Sequence, residues 1–250
     1  MLEIAPALSV VVPVRNEAGN IAPLVGEIEA ALTGRLPFEI VYVDDGSTDA
    51  SGEELAQLRR TRPHLRVVRH AVSCGQSAAV RSGVRAARAP VVATLDGDGQ
   101  NDPAFLPAMY DALQAAGSGC GLVQGQRVGR KDTGFKRVQS RIANSVRGAI
   151  LRDGTRDTGC GLKLFRREAW LALPYFDALH RFTPALMKRE GFTIAHVDVK
   201  DRPRQAGVSK YGFFDRLWVG VVDLAGVRWM INRRKRVPQA SEIAPPVAED

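Results

Sequence analysis

Apolar and polar positions follow two alternating periods through the first hundred or so residues. The runs "LSVVVPV" (Leu8 to Val14), "FEIVYVDDGS" (Phe38 to Ser47), "LRVVRH" (Leu65 to His70) and "PVVATLD" (Pro90 to Asp96) are short and rich in β-branched residues. That is the pattern of strands buried on both faces. Between them, "NIAPLVGEIEAAL", "DASGEELAQLRR" and "GQSAAVRSGVRAAR" space their apolar residues for one face of a helix. Ser51 with Glu54 three residues on has the spacing of a capping box and predicts the start of the second helix. Strand and helix in regular alternation predict βαβ units and a doubly wound, mostly parallel sheet.

After Pro103 the periods loosen. A helix is expected from about Phe105 to Ala116, a strand near "GLVQGQR", then a basic linker and a helix around "KRVQSRIANSVRGAIL". "GLKLFRREAW" and "FTIAHVDV" are further strand candidates, and "DRPRQAGVSKYG" reads as a loop. The stretch "LWVGVVDLAGVRWMI", Leu217 to Ile231, is short and carries Asp223 and Arg228, so it is expected to lie on a membrane and not to cross one. The Pro-rich, polar tail "VPQASEIAPPVAED" is expected to be disordered. The expected division is a catalytic domain over 1–216, an amphipathic basic helix over 217–236 and a tail over 237–250.

Composition adds little to that picture, and charge adds more. The chain has 250 residues, 45% of them apolar and 25% charged, an ordinary globular balance. Cys74, Cys120 and Cys160 are widely spaced and form no CxxC, so neither a disulfide framework nor a zinc cluster is indicated, and a reducing compartment is the simplest expectation. The start has no basic region ahead of its apolar run and reads as a first strand, not a signal peptide. The net charge of +8 is concentrated: residues 127–156 hold 9 basic against 2 acidic side chains, and residues 200–236 hold 10 against 3. Residues 1–126 are net acidic, with 10 against 14. A basic second half points to an anionic partner or substrate, such as nucleic acid, phosphate or an anionic membrane.

The predicted strands end in charge. The first ends in Arg15, Asn16 and Glu17, the second in Asp44 and Asp45, the fourth in Asp96 and Asp98 of "LDGDGQNDP". Ligands of open α/β sheets bind outside such ends. Each residue singly is also what a helix cap or turn would use. Together at one sheet edge they repel unless a cation or ligand donors neutralise them. Asp96 and Asp98, two apart at a frayed strand end, can share a hard divalent cation with Gln100 as a third oxygen; Mg²⁺ or Mn²⁺ suits such ligands. His64, His70, His180 and His196 show no ligand spacing, which disfavours zinc. A metal there suggests a nucleoside diphosphate, and no GxxxxGK[ST], nor a GxGxxG after the first strand, supports another nucleotide fold.

In order and spacing, "VVPVRNE", "VDDGSTD", "GQSAAVRSG", "LDGDGQNDP" and "RQAGVSKYG" resemble the family 2 glycosyltransferases, most closely those that make dolichyl- or polyprenyl-phosphate sugars. The resemblance runs over roughly residues 8–215. It implies an α/β glycosyltransferase A fold with a Rossmann-like, mostly parallel central sheet and flanking helices. It implies that Pro13, Glu17, Val43 and Asp45 line the nucleotide's base and ribose, and that Asp96, Asp98 and Gln100 hold the metal and diphosphate. Gly97 would let backbone approach the nucleotide. Arg127, Lys136, Arg137 and Ser140, with Arg130 and Arg141 behind them, are the candidates for the acceptor phosphate, and Arg204 and Lys210 would fold over both phosphates. Asp157 of "DTGCGLKLFRR" would sit beside the acceptor, whereas Cys160 reads as a packing residue.

The implied reaction is inverting transfer of a hexose from a GDP- or UDP-linked sugar to a polyprenyl phosphate, without a covalent intermediate. The acceptor is already anionic, so no base is required, and positioning with electrostatics supplies most of the rate. Trp218, Trp229 and the run Arg233 to Arg236 would hold the chain on the cytoplasmic face of an anionic membrane. Two alternatives stand beside this: a family 2 transferase with a hydroxyl acceptor, which would need a catalytic carboxylate, and a nucleic-acid-binding module. The latter explains the charge but not the acidic strand ends, and the basic segments lack interleaved aromatics, so no nucleic-acid partner is expected.

Overall fold

Six of seven strands run parallel, in the spatial order β3-β2-β1-β4-β6-β5-β7. They are β1 (Leu8–Val14), β2 (Phe38–Asp44), β3 (Leu65–Arg69), β4 (Val91–Thr94), β5 (Cys120–Arg127), β6 (Lys163–Arg166) and β7 (Thr193–Val199). The computed structural model describes residues 5–128, 147–202 and 213–234, the first six residues of the last range by backbone only. The predicted βα alternation is present through β4, because each strand in it is a continuous apolar run that must be covered on both faces. β6 alone is antiparallel, inserted between β4 and β5.

Helices α1 (Ile21–Leu32), α2 (Ser51–Leu58) and α4 (Leu106–Ala115) cover one face. Their Leu24, Ile28, Leu55 and Met109 pack with Val10, Val12, Ile40 and Ala93. Helices α3 (Gln76–Ala86), α5 (Arg167–Leu171), α6 (Leu179–Arg189) and α7 (Phe213–Arg233) cover the other. Val80, Val84, Trp170, Phe182 and Leu186 meet Val11, Val43, Val92 and Phe165 there. Alternate residues of one strand thus feed opposite cores.

Four local expectations are corrected. The capping box does not form: Ala50 is the N-cap of α2, Ser51 Oγ accepts from Glu17 N at 2.9 Å, and Glu54 accepts from the Gly19 and Ala22 amides at 2.8 and 2.9 Å. Those side chains tie the loop after β1 to α2. "GLKLFRREAW" is a strand only to Arg166 and then a helix. α6 went unpredicted because Pro184 sits inside it. Proline removes the donor to the carbonyl of residue 180, and Thr183 Oγ1, 3.2 Å from Leu179 O and 3.5 Å from His180 O, supplies one.

The last helix starts at Phe213 and not at Leu217. Leu224, Val227, Met230 and Ile231 pack on the second core, Arg189 Nε donates to Met230 O at 3.1 Å, and Arg234 pairs with Glu190 at 2.6 Å. Its other side leaves Val219, Val222 and Trp229 exposed, Trp229 at 63%. No helix among the described residues is long and apolar enough to cross a membrane.

Candidate active site

The carboxyl ends of β1, β2 and β4 open into a cavity of about 480 Å³, continued by β6, α3, α5 and α6. Pro13, Glu17, Asp45, Asp96, Gly97 and Asp98 line it, so six of the predicted residues meet there. Val43 does not: its side chain is fully buried in the core beneath α3, as expected for a strand residue facing a helix.

One rim is braced from both sides. Asn16 takes φ +56° at the end of β1, a conformation asparagine tolerates, and its Oδ1 accepts from Thr48 N at 2.8 Å. Ser47 Oγ accepts from Asn16 N at 3.0 Å, and Asp49 accepts from Ala18 N at 3.2 Å. Asp45 braces the opposite loop: its carboxylate accepts from Ser73 Oγ (2.8 Å), Cys74 N (2.8 Å) and Gly75 N (2.9 Å), with His70 Nδ1 at 2.7 Å. Burial pushes its pKa up, but the Cys74, His70, Ser73 and Gly75 donors outweigh it and hold the carboxyl below its usual range. Asp45 therefore lines the cavity as a loop organiser with its own lone pairs already engaged. Asp45, His70 and Cys74 bring possible ligand atoms within 4.8 Å of one another. Those hydrogen bonds, and His70 Nε2 at 2.8 Å from Ser82 Oγ, account for the carboxylate and both ring nitrogens.

Asp96 and Asp98 behave differently. Asp96 Oδ1 accepts from Gln76 Nε2, and Asp96 N donates to Asn101 Oδ1, both at 2.9 Å. Burial, then the neighbouring Asp98 charge, pushes the Asp96 pKa up to about 6 despite Lys163 and Arg127. An oxygen-donor carboxylate whose ionisation is opposed by a second one beside it fits a hard divalent cation, which reverses that penalty. Gln100 does not line the cavity; its amide donates to Asp98 Oδ1 at 3.1 Å and its carbonyl accepts from Arg202 N at 2.9 Å, so it shapes the turn. Gly97 is required by neighbouring protein: a Cβ there would meet Val14 Cγ1 at 2.4 Å and Pro13 O at 3.0 Å. This packing gives glycine a reason at 97 in addition to the sequence-based one, room for the nucleotide.

Arg127 is held by two carboxylates. Its guanidinium forms a fork on Asp157 at 2.5 and 2.9 Å and reaches Asp201 at 3.1 Å, and it does not line the cavity. It bolts the 157–161 turn to the ends of β5 and β7, and Asp157 is its partner. Cys160 is fully buried, and burial raises its thiol pKa to about 11, in keeping with a packing role. Lys136, Arg137, Ser140, Arg130, Arg141, Arg204 and Lys210 lie outside the described residues.

Unpredicted residues complete the wall: Gln76, Lys163, Phe165, Trp170, His180, Arg181 and Thr183. Lys163 was detectable as a charge inside the apolar run "GLKLF". It is 5% exposed, and its ammonium donates to the carbonyls of Cys160 and Thr158, the latter at 3.4 Å. His180 Nδ1 lies 2.7 Å from Ser77 Oγ, and burial, with Lys163 and Arg181 nearby, lowers its pKa from 6.5 to about 3. The folded chain keeps this ring neutral while the unfolded chain protonates it, so stability present above pH 6.5 is lost as pH falls toward 3. Unfolding midpoints measured across that range should fall less steeply in His180→Gln than in the wild type; identical slopes would exclude His180 as a contributor.

The family model described as "Glycosyl transferase family 2" matches residues 9–171. A dodecaprenyl-phosphate galacturonate synthase of Rhizobium johnstonii is 35% identical over 92% of this chain and 68% of its own. An undecaprenyl-phosphate 4-deoxy-4-formamido-L-arabinose transferase of Edwardsiella ictaluri is 33% identical over 82% of this chain and 63% of its own. This chain therefore spans about two thirds of the length of these curated relatives. Among solved structures, glucosyl-3-phosphoglycerate synthase of Mycobacterium tuberculosis, in complex with Mn²⁺, UDP and glucosyl-3-phosphoglycerate, superposes with a TM-score of 0.65 at 21% identity, over 94% of this chain and 82% of that one. The same enzyme with Mg²⁺ and UDP gives 0.65 at 20% identity over 94% and 81%. Those likenesses establish a shared fold.

Proposed function

Because this chain belongs to glycosyl transferase family 2 and has the glycosyltransferase A fold, we propose that it moves a sugar from a nucleotide sugar to a polyprenyl phosphate. The observation that carries this is the cavity at the strand ends, lined by Asp96 and Asp98 and also by Lys163 and Arg181. Relatives named for dodecaprenyl- and undecaprenyl-phosphate products support the acceptor class. They differ in the sugar, which is therefore not carried over.

The base and ribose lie toward Pro13, Glu17 and the loop that Asp45 holds, and the diphosphate meets Asp96 and Asp98. Asp96 and Asp98 would hold a divalent cation, which would supply positive charge to the departing diphosphate. Gln76 fixes the Asp96 carboxylate, and Gly97 sets the distance of the loop from β1. An oxygen of the lipid phosphate attacks the anomeric carbon, the bond from that carbon to the nucleotide's phosphate oxygen breaks, and its electron pair leaves on the nucleoside diphosphate. The configuration inverts. A hydroxyl acceptor would have to lose a proton, and the described lining of the α6 side carries no carboxylate to take it. A phosphate has no such need. The exposed Val219, Val222 and Trp229, beside Arg233, are the proposed contact with an anionic membrane on its cytoplasmic face.

The test is transfer of label from UDP- and GDP-linked sugars into polyprenyl phosphate carried in anionic vesicles, with Mg²⁺ or Mn²⁺ and with chelator. Labelled, organic-extractable lipid that disappears with chelator, from enzyme that sediments with the vesicles, is expected. Label passing only to water or to a soluble glycan would overturn the acceptor assignment.

A further inference from the structure

Charge is spread unevenly over the cavity, although Arg15 stands among the carboxylates at the strand ends. Its carboxylates, Glu17, Asp45, Asp96 and Asp98, belong to the ends of β1, β2 and β4. The part bounded by α3, β6 and α6 instead presents Lys163, His180 and Arg181, with the Thr183 hydroxyl, and no carboxylate among the described lining residues. Lys163 is buried and bonds only to carbonyl oxygens among the described residues. Arg181 is exposed at the rim, and Asp223 of α7 attracts its guanidinium. His180 is neutral and close enough to both to feel their charge. Phe165 and Trp170, stacked with centroids 5.7 Å apart at 18°, supply apolar wall.

Asp96 and Asp157 attract the Lys163 ammonium, but its burial remains costly, and an incoming anion relieves part of that cost. A neutral sugar has hydroxyls that both give and accept hydrogen bonds, whereas a carboxylate only accepts. Two cations lining one part of a cavity therefore suit a carboxylate better, the Thr183 proton being engaged by the carbonyls of Leu179 and His180. With the base toward Glu17 and the diphosphate at Asp96 and Asp98, the sugar of the donor extends into this part. Resting on the nucleotide-sugar reading above, we propose that Lys163 and Arg181 form an anion subsite for a carboxylate on the transferred sugar, so that the donor is a nucleotide-linked uronic acid.

The acceptor phosphate is the other anion that could meet Arg181, and the experiment separates the two. Binding to the full chain with Mn²⁺ is measured by calorimetry for three pairs: UDP-glucuronate and UDP-glucose, UDP-galacturonate and UDP-galactose, GDP-mannuronate and GDP-mannose. The uronate of at least one pair should bind about tenfold more tightly than its neutral partner, and Arg181→Gln should bring that ratio close to one. Lys163→Met, of similar shape, should do the same. Equal or tighter binding of the neutral sugar in every pair overturns the proposal, as does an unchanged ratio in both variants. A variant that raises KM for polyprenyl phosphate and leaves the donor ratio intact assigns Arg181 to the acceptor and also overturns it. A uronate preference without any labelled lipid supports the subsite and overturns the polyprenyl-phosphate acceptor instead.

Discussion

Asp98→Asn is expected to lower kcat/KM by about a thousandfold, the rate equivalent of losing several kcal/mol of charge stabilisation at a metal-bound diphosphate. The substitution keeps shape and removes charge. Asp98 Oδ1 accepts from the Gln100 amide at 3.1 Å, a bond that an asparagine oxygen can also accept, so the turn is retained. The Asp98 charge also opposes ionisation of Asp96, and its removal relieves that repulsion in the free protein. Thermal unfolding without metal should therefore stay within about 1 kcal/mol of wild type or improve. Initial rates over a Mn²⁺ series, beside unfolding curves of both proteins, make the comparison. Full activity in the variant would remove Asp98 from the metal site, whereas equal losses of activity and stability would make it a structural residue.

The first four strands and their helices were legible because a buried parallel strand must be apolar on both faces and its covering helix on one. Charged ends of β1, β2 and β4 were legible for the complementary reason: a strand that stops at a ligand stops in polar residues. What the pattern could not show is which polar group spends its bonds inside the protein. Ser51 and Glu54 have capping-box spacing, yet both accept from amides after β1, partners distant in sequence that no local spacing reveals. Arg127 looked free for a phosphate until Asp157 and Asp201, far away in sequence, were brought against it. The α6 side of the cavity was hidden behind Pro184, whose helix-breaking tendency is met by a threonine hydroxyl that no period reveals.

Gly161→Ala tests the other contact on which Asp96 depends, one that the sequence reading of "DTGCGLKLFRR" did not single out. A Cβ on Gly161 would stand 2.1 Å from Asp96 Oδ2, 2.4 Å from its Cγ and 2.7 Å from Asn101 Oδ1. Neither side yields easily. Asp96 is held by Gln76 Nε2 and through its own amide by Asn101. On the other side the Gly161 carbonyl accepts from Thr94 Oγ1 at 2.9 Å, and the next carbonyl, Leu162 O, accepts from Gly125 N at 3.1 Å. The carboxylate, being a side chain, is the softer partner and is expected to swing away from Asp98. A displacement of about 1 Å costs on the order of a hundredfold in rate, while overpacking at this edge costs about 1–3 kcal/mol of stability. The variant should thus lose about a hundredfold in kcat/KM and bind Mn²⁺ more weakly, with its unfolding still cooperative. Gly119→Ala, where a Cβ meets nothing within 4 Å, is the matched control and should keep wild-type rates. Wild-type Mn²⁺ affinity in Gly161→Ala would mean that the cation does not depend on the observed Asp96 position, and the two-carboxylate site would fall with it.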